Sequence, residues 1–262
     1  MLTHLSLFSG IGGLDIAAEA AGFRTVGQCE LADYSTKILE KHWPDVPRWR
    51  DIRTLTEENF YERTGLQTVS IISGGFPCQP HSLAGKRLSS DDERDMWPEM
   101  RRVIREIKPK WVVGENVRGL LSSEHGMFFR GILRDLAELG YDVGWGITSA
   151  AGIGAVHRRN RVAIIAHACC DRLQRRGIEK EFQKTIEQSE RIYLPLLQRT
   201  DEKHISSSAI LRKYDGVPCR MDRTKCLGNA VVPAQFYPIF KAIADVEALQ
   251  GGEIGENDGT TD

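Results

Sequence analysis

The sequence has no apolar run that approaches the roughly 18–20 residues of a membrane-spanning helix. Its first ten residues, MLTHLSLFSG, also lack the basic segment and the long apolar stretch of a secretory signal. We therefore expect a cytoplasmic protein that has no membrane partner.

Metal-binding cysteine motifs and a strong charge of one sign are also missing. The six cysteines include no C-x-x-C pair, so we predict no metal site and expect reduced thiols. The 35 Lys and Arg residues balance 36 Asp and Glu residues, which leaves a formal net charge of −1. The acidic C-terminal tail offsets a mildly basic body, and this distribution permits a polyanionic partner without requiring one.

The sequence does contain a regular alternation of short apolar runs with helical patterns. The runs HLSLF, TVGQCE, TVSIIS, KWVVGE and RVAIIAHA are predicted strands. This order predicts an α/β fold with a mostly parallel sheet. Because the pattern stops near residue 168, we predict a main domain, an inserted module, a return to the main domain and a disordered acidic tail. These four segments cover residues 1–167, 168–224, 225–247 and 248–262, respectively.

The loop after the first predicted strand, FSGIGGLD, is rich in glycine. Glycine lets the backbone approach a ligand closely, and the N-terminus of the following helix favours polar or anionic groups. A turn without a ligand would also fit this loop. The glycine fingerprint of nicotinamide dehydrogenases is a further alternative, but Asp15 stands where that fingerprint needs glycine.

Two acidic positions follow the glycine-rich loop at the ends of apolar runs. Glu30 ends the second predicted strand, where an acid in a Rossmann-like sheet commonly accepts hydrogen bonds from ribose hydroxyls. Asp51 precedes Ile52 and could accept a hydrogen bond from an adenine amino group. Each acid alone could simply be solvated, but together with the glycine-rich loop they favour a nucleoside-bearing cofactor.

A cysteine lies between two prolines in the segment GGFPCQP, directly after a predicted central strand. In open α/β sheets, ligands bind at the carboxyl ends of the strands. A thiol there can act as a nucleophile when nearby basic groups lower its pKa. We therefore treat Cys78 as a candidate nucleophile, with an inert, partly exposed thiol as the alternative.

Charged residues also accompany two later apolar strands. Glu115 and Asn116 end WVVGEN, and a carboxylate that emerges from an apolar strand can have a raised pKa and act as an acid. Arg159 and Arg161 are two residues apart at the start of RVAIIA. In extended geometry both point to the same face, where they could meet a phosphate or a base carbonyl. Alternatively, Glu115 could simply cap the end of its strand, and the two arginines could be solvated surface residues.

Taken in order, these motifs resemble the C5-cytosine DNA methyltransferase family. The resemblance rests on FSGIGGLD, Glu30, RDI, GGFPCQPHSLAGKR, ENV, HRRNRV and GNAVVP, which cover residues 1–166 and 226–245. It implies a Rossmann-like S-adenosylmethionine-dependent methyltransferase fold that acts on double-stranded DNA, with residues 168–224 as a short target-recognition region. The segment DGVPCRMDRTKCLGNAVVP is similar to small, often prophage-associated members. We expect a monomer, and a cognate restriction endonuclease is a possible partner.

The resemblance also implies roles for individual residues. Cys78 resembles the nucleophile that attacks C6 of a flipped-out cytosine, and Glu115 resembles the residue at N3 and the exocyclic amine. Arg159 resembles the arginine at the cytosine carbonyl, and Arg161 its supporting partner. Further substrate contacts are implied for Gln79, Ser82 and Asn116. Cofactor contacts are implied for Phe8, Ser9, Gly10, Gly12, Gly13, Glu30, Asp51, Ile52, Pro77, Asn229 and Val231.

Two other functions are compatible with the same motifs. The short recognition region would suit a DNA- or cofactor-binding relic without catalysis, and an RNA cytosine could undergo the same chemistry. The presence of Cys78, Glu115 and Arg159 together with the cofactor motifs favours an active DNA methyltransferase.

Overall fold

The computed structural model describes residues 1–77, 95–150, 159–168 and 230–252. Its strands are β1 (Thr3–Leu7), β2 (Arg24–Cys29), β3 (Arg48–Trp49), β4 (Ile71–Gly74), β5 (Trp111–Val117), β6 (Tyr141–Ser149) and β7 (Asn160–Ala168). Its α-helices are α1 (Gly13–Ala20), α2 (Asp33–His42), α3 (Glu57–Thr64), α4 (Trp97–Ile107), α5 (Met127–Glu138) and α6 (Pro233–Gly252). Two 3₁₀ segments cover Ile52–Thr54 and Arg118–Gly126.

The seven strands form one sheet in the order β3-β2-β1-β4-β5-β7-β6. The pairs β1–β2, β1–β4, β2–β3 and β4–β5 are parallel, whereas β7 runs antiparallel to both β5 and β6. Parallel neighbours need crossover connections, which the predicted alternation of strands and helices supplies. The predicted α/β fold with a mostly parallel sheet is therefore confirmed.

Apolar side chains pack on both faces of the sheet, as expected for strands that helices cover on each side. On one face, Leu14, Ala17 and Ala18 of α1 pack together with Phe236, Phe240 and Ile243 of α6. On the other face, α4 and α5 pack against the sheet through Met100, Ile104, Phe129 and Ile132. Within the described ranges, no helix is both long and apolar enough to cross a membrane.

Apart from the 3₁₀ segments, two strands and one α-helix were not predicted from the sequence. Strand β3 has two residues, and β6 carries two glycines on an edge of the sheet where its side chains are only partly buried. Helix α3 begins with a capping box, in which the Thr56 hydroxyl accepts the Asn59 N–H and the Asn59 side chain accepts the Thr56 N–H. It ends at Gly65, whose positive φ of 71° suits a helix C-cap.

The C-terminal helix extends into the predicted tail. We expected a disordered tail from residue 248, but α6 continues to Gly252. The ammonium of Lys110, which directly precedes β5, donates to Glu247 at 2.9 Å and to Gln250 at 2.7 Å, and these contacts hold the extra turn. Most of the predicted target-recognition region lies outside the described residues, and its boundaries stay a prediction.

Candidate active site

The topology brings the predicted functional groups to one edge of the sheet. The parallel strands β1, β2, β4 and β5 all end there, and we call it the carboxyl edge. Because β7 runs antiparallel to β5, its first residues lie at the same edge. The glycine-rich loop, Glu30, Glu115 and the two arginines are therefore neighbours in the fold although they are far apart in sequence.

The loop between β1 and α1 makes a tight turn with unusual backbone angles. Phe8, Gly10 and Gly12 have φ values of 52°, 56° and 88°. Glycine adopts such angles readily, whereas they are uncommon for phenylalanine, so Phe8 marks a strained position. The backbone N–H of Ser9, which is buried, donates to the Cys29 carbonyl at 3.0 Å and fastens the turn to the end of β2.

The three glycines of this loop differ in what surrounds them. A Cβ on Gly12 would lie 2.5 Å from the Trp43 ring, and a Cβ on Gly13 would lie 2.5 Å from the Val231 carbonyl oxygen. These two glycines therefore permit close packing against the segments that follow α2 and precede α6. Gly10 instead borders open space, with nothing within 4 Å of its Cβ position. The structure thus places Val231 beside the glycine-rich loop and leaves Gly10 accessible.

Glu30 is fixed at the end of β2 by two backbone amides. Its Oε2 accepts a hydrogen bond from the Gly10 N–H and its Oε1 accepts one from the Ala32 N–H, both at 2.8 Å. A carboxylate oxygen has two lone pairs, so each oxygen keeps capacity for a further donor. The carboxylate is therefore oriented beside the open space at Gly10 and could receive a hydroxyl group there.

Below the glycine-rich loop lies a buried polar network that the sequence analysis missed. Asp15 is fully buried, and its two carboxylate oxygens accept hydrogen bonds from the Ser6 hydroxyl at 2.9 Å and the Gln28 amide at 2.8 Å. Arg48 donates to Gln28 Oε1 at 2.9 Å and extends the network to β3. The residue that replaces the third glycine of a dinucleotide fingerprint thus ties α1 to β1 and β2.

The segment after β3 forms a turn that α4 holds in place. The Asp51 carboxylate accepts the Arg53 N–H at 3.0 Å. The Ile52 side chain is only 3% exposed and packs in the core, so its predicted contact with a cofactor stays a prediction. The Arg102 guanidinium donates to the carbonyls of Ile52 and Leu55 at 2.7 and 2.9 Å. Nothing in a single sequence singles out Arg102 among the charged residues of an amphipathic helix.

Glu115 and Arg161 form a buried ion pair at the carboxyl edge. The Arg161 Nε lies 2.7 Å from Glu115 Oε1, and the two side chains are 14% and 11% exposed. Residue 161 pairs with Val117 and residue 163 with Glu115, so the ion pair is a diagonal cross-strand contact. Burial raises the pKa of Glu115, although Arg161 and Arg159 act in the opposite direction.

Arg159 lies next to this pair and directly precedes β7. Burial and the neighbouring Arg161 lower the pKa of its guanidinium, whereas Glu115 raises it. The guanidinium nevertheless stays charged, because arginine is not deprotonated in proteins. Its backbone carbonyl accepts a hydrogen bond at 2.6 Å from the buried Gln235 amide of α6. Gln235, which the sequence analysis also missed, thus fixes the backbone from which Arg159 emerges.

The end of β4 approaches Glu115 and Asn116 closely. The Asn116 amide donates to the Phe76 carbonyl at 3.0 Å, and its carbonyl oxygen accepts the Val117 N–H at 2.8 Å. Asn116 therefore holds the backbone two residues before Cys78, and Pro77 is exposed at this point. Outside the described residues lie the predicted site residues Cys78, Gln79, Ser82 and Asn229.

The chain belongs to the C-5 cytosine-specific DNA methylase family, whose sequence profile matches residues 2–214. It is similar to the type II methyltransferase M.NgoMIV of Neisseria gonorrhoeae, with 35% identity over 164 residues, which are 63% of this chain and 51% of that protein. It is also similar to M.AquIA of Picosynechococcus sp., with 36% identity over 175 residues, or 62% and 71% of the two chains. The chain spans about half the length of M.NgoMIV.

A solved structure shows the same fold. An E. coli prophage protein assigned as a DNA modification methyltransferase superimposes with a TM-score of 0.55 at 24% identity. The match covers 64% of this chain and 47% of the other. The predicted Rossmann-like methyltransferase fold is therefore confirmed.

Proposed function

We propose that the chain is a DNA (cytosine-5-)-methyltransferase, which transfers a methyl group from S-adenosylmethionine to C5 of a cytosine in double-stranded DNA. The observation that carries this proposal is the buried Glu115–Arg161 pair, which lies beside the end of β4 that leads to Cys78. Family membership and the type II methyltransferases among the relatives support the same substrate class.

The residues around Gly10 and Glu30 fit S-adenosylmethionine. Gly10 borders open space, and the oriented Glu30 carboxylate beside it suits the two hydroxyls of a ribose. When bound, S-adenosylmethionine supplies a methyl group on a positively charged sulfur. The other proposed cofactor contacts are Phe8, Ser9, Gly12, Gly13, Asp51, Ile52, Pro77, Asn229 and Val231.

Cys78 is the proposed nucleophile. C5 of cytosine belongs to an aromatic ring and is a poor nucleophile, but addition of the Cys78 thiolate to C6 makes C5 electron-rich enough to accept a methyl group. Loss of the C5 proton to a base and elimination of the thiolate then restore the ring. The cytosine must leave the base stack, because its ring carbons are shielded inside the duplex.

Glu115, Arg159 and Arg161 would balance charge while the adduct forms. Burial raises the pKa of Glu115, which favours a proton or a short hydrogen bond at cytosine N3. Arg159 would face the carbonyl oxygen of the base, and Arg161 would keep Glu115 oriented. Asn116 would hold the loop through the Phe76 carbonyl, and its contact with the substrate stays part of the proposal. Direct contacts with DNA are proposed for Gln79 and Ser82.

The test is methyl transfer from labelled S-adenosylmethionine to unmethylated genomic DNA, followed by bisulfite sequencing. Label at C5 in a defined sequence context would support the proposal and identify the target. Cys78→Ser should abolish transfer while cofactor binding, measured by calorimetry, stays unchanged. Near-wild-type turnover of this variant would contradict the covalent mechanism.

The same experiment separates the alternatives. Cofactor binding without transfer to any nucleic acid would indicate a relic, and transfer to RNA alone would indicate an RNA methyltransferase. The type II relatives and the prophage origin of the similar E. coli structure favour a restriction-modification or prophage setting. A cognate endonuclease, a monomeric state and a cytoplasmic location remain parts of this proposal.

A further inference from the structure

Gly75 lies directly beside the carboxylate of Glu115. Strands β4 and β5 are parallel neighbours in which Gly74 pairs with Gly114. The residues that follow these two, Gly75 and Glu115, therefore also lie side by side. A Cβ built on Gly75 would lie 2.8 Å from Glu115 Oε2, a separation that real Cβ atoms essentially never show. The absence of a side chain at residue 75 therefore leaves the space that this oxygen occupies.

The Glu115 carboxylate is not free to move away from such a contact. Its other oxygen, Oε1, is held by Arg161 Nε at 2.7 Å, and both side chains are largely buried. A displacement of Oε2 by a few tenths of an ångström would rotate the carboxylate or stretch this ion pair. A methyl group at residue 75 would therefore disturb a charged group that has little room to adjust.

We infer that Gly75 is a positioning residue, which determines the direction of Glu115 Oε2. Oε1 is bound to Arg161, and Oε2 lies beside Gly75, which directly follows β4 and precedes the Phe76–Pro77–Cys78 segment. Oε2 is therefore the oxygen that meets the cytosine. The catalytic part of this inference rests on the proposed function, whereas the steric part concerns the fold alone.

Gly75→Ala tests the catalytic part. We expect kcat for methyl transfer to fall by about 10- to 1,000-fold, as when an oriented polar group at a reacting centre is displaced. The dissociation constant for S-adenosylmethionine should change much less than kcat, because the Cβ that Gly75→Ala adds would meet Glu115 and not the Gly10–Glu30 contact. The matched control is Gly114→Ala, whose Cβ would make an ordinary 3.4 Å contact with Ile164 and should leave kcat near the wild-type value.

Thermal unfolding tests the steric part independently of activity. Gly75→Ala should lower Tm by about 3–10 °C, the size expected for overpacking against a buried side chain such as Glu115. The loss should largely disappear in a Glu115→Ala background, because the truncated side chain leaves room for the methyl group. Gly114→Ala should change Tm equally in both backgrounds.

The outcomes separate this inference from the proposed function. An equal loss of Tm in both backgrounds, or wild-type kcat for Gly75→Ala, would overturn the inference. If Gly75→Ala does not fold, recovery of folding in the double variant with Glu115→Ala would support it, and continued misfolding would contradict it. If the wild-type protein transfers no methyl group, the proposed function fails, but the Tm comparison still decides whether Gly75 positions Glu115.

Discussion

Replacing Asp15 with asparagine should change how the stability of this protein depends on pH. Asp15 is fully buried between α1, β1 and β2, and burial raises the pKa of its carboxyl from 3.8 to about 6 despite hydrogen bonds from Gln28 and Ser6. One pKa unit corresponds to about 1.4 kcal/mol, so the ionised carboxylate costs the fold about 3 kcal/mol above pH 7. Asparagine has nearly the same shape and carries no charge.

The sign of the effect follows from proton binding. The pKa of Asp15 is higher in the folded state, so the folded protein binds the proton more tightly than the unfolded chain. The contribution of Asp15 to stability is therefore most favourable below about pH 4, falls between about pH 4 and 6, and is constant at higher pH. From pH 5 to pH 7, wild type should lose about 1.3 kcal/mol through this group, and Asp15→Asn should lose none.

Urea unfolding of both proteins at pH 5, 6 and 7 measures this difference. The unfolding free energy of Asp15→Asn minus that of wild type should rise by about 1.3 kcal/mol across the range. Asp33→Asn is the control, because Asp33 is exposed and Arg50 lowers its pKa, so it stays ionised throughout. A difference between Asp15→Asn and wild type that does not vary with pH would refute the reasoning.

Three further predictions concern other buried or oriented groups. Glu30→Ala should weaken S-adenosylmethionine binding about 10- to 100-fold, because hydrogen bonds to a charged group contribute about 1.5–3 kcal/mol; an unchanged dissociation constant in calorimetry would remove Glu30 from the site. Arg102→Lys should raise the KM for S-adenosylmethionine several-fold without lowering kcat, because lysine cannot hold the carbonyls of both Ile52 and Leu55. Arg101→Lys, on the same helix, is the control. Equal KM values for the two variants would contradict this role of Arg102. Burial lowers the pKa of His4 to about 3, so the neutral ring stabilises the fold above about pH 6.5 and this contribution is progressively lost at lower pH. From pH 7 to pH 5 the unfolding free energy of wild type should fall by about 2 kcal/mol through this group, whereas that of His4→Asn should not. An equal change for both proteins in urea unfolding at the two pH values would refute this prediction.

The proposed cofactor half of the site could be predicted because its geometry follows from local rules. A glycine-rich turn after the first strand and an acid at the end of the second strand meet whenever the two strands are parallel neighbours. The structure places the Gly10 N–H 2.8 Å from Glu30, twenty residues later in the chain. The sequence did not indicate which of the three loop glycines borders open space. In the structure Gly12 packs against Trp43 and Gly13 against Val231, whereas Gly10 borders open space.

The proposed catalytic half depended on strand order, which no local pattern encodes. Glu115 and Arg161 were both recognised as candidates, but their pairing requires β7 to insert antiparallel beside β5, ahead of β6. The unpredicted edge strand β6 makes this arrangement possible, because β7 returns from it into the sheet. The contact between Gly75 and Glu115 likewise depends on the register of β4 and β5, so a glycine that the sequence showed only as part of the segment GGFPCQP becomes the neighbour of a buried carboxylate. Residues that position catalytic groups are thus the least visible in a sequence, because their effect arises from neighbours that only the assembled sheet supplies.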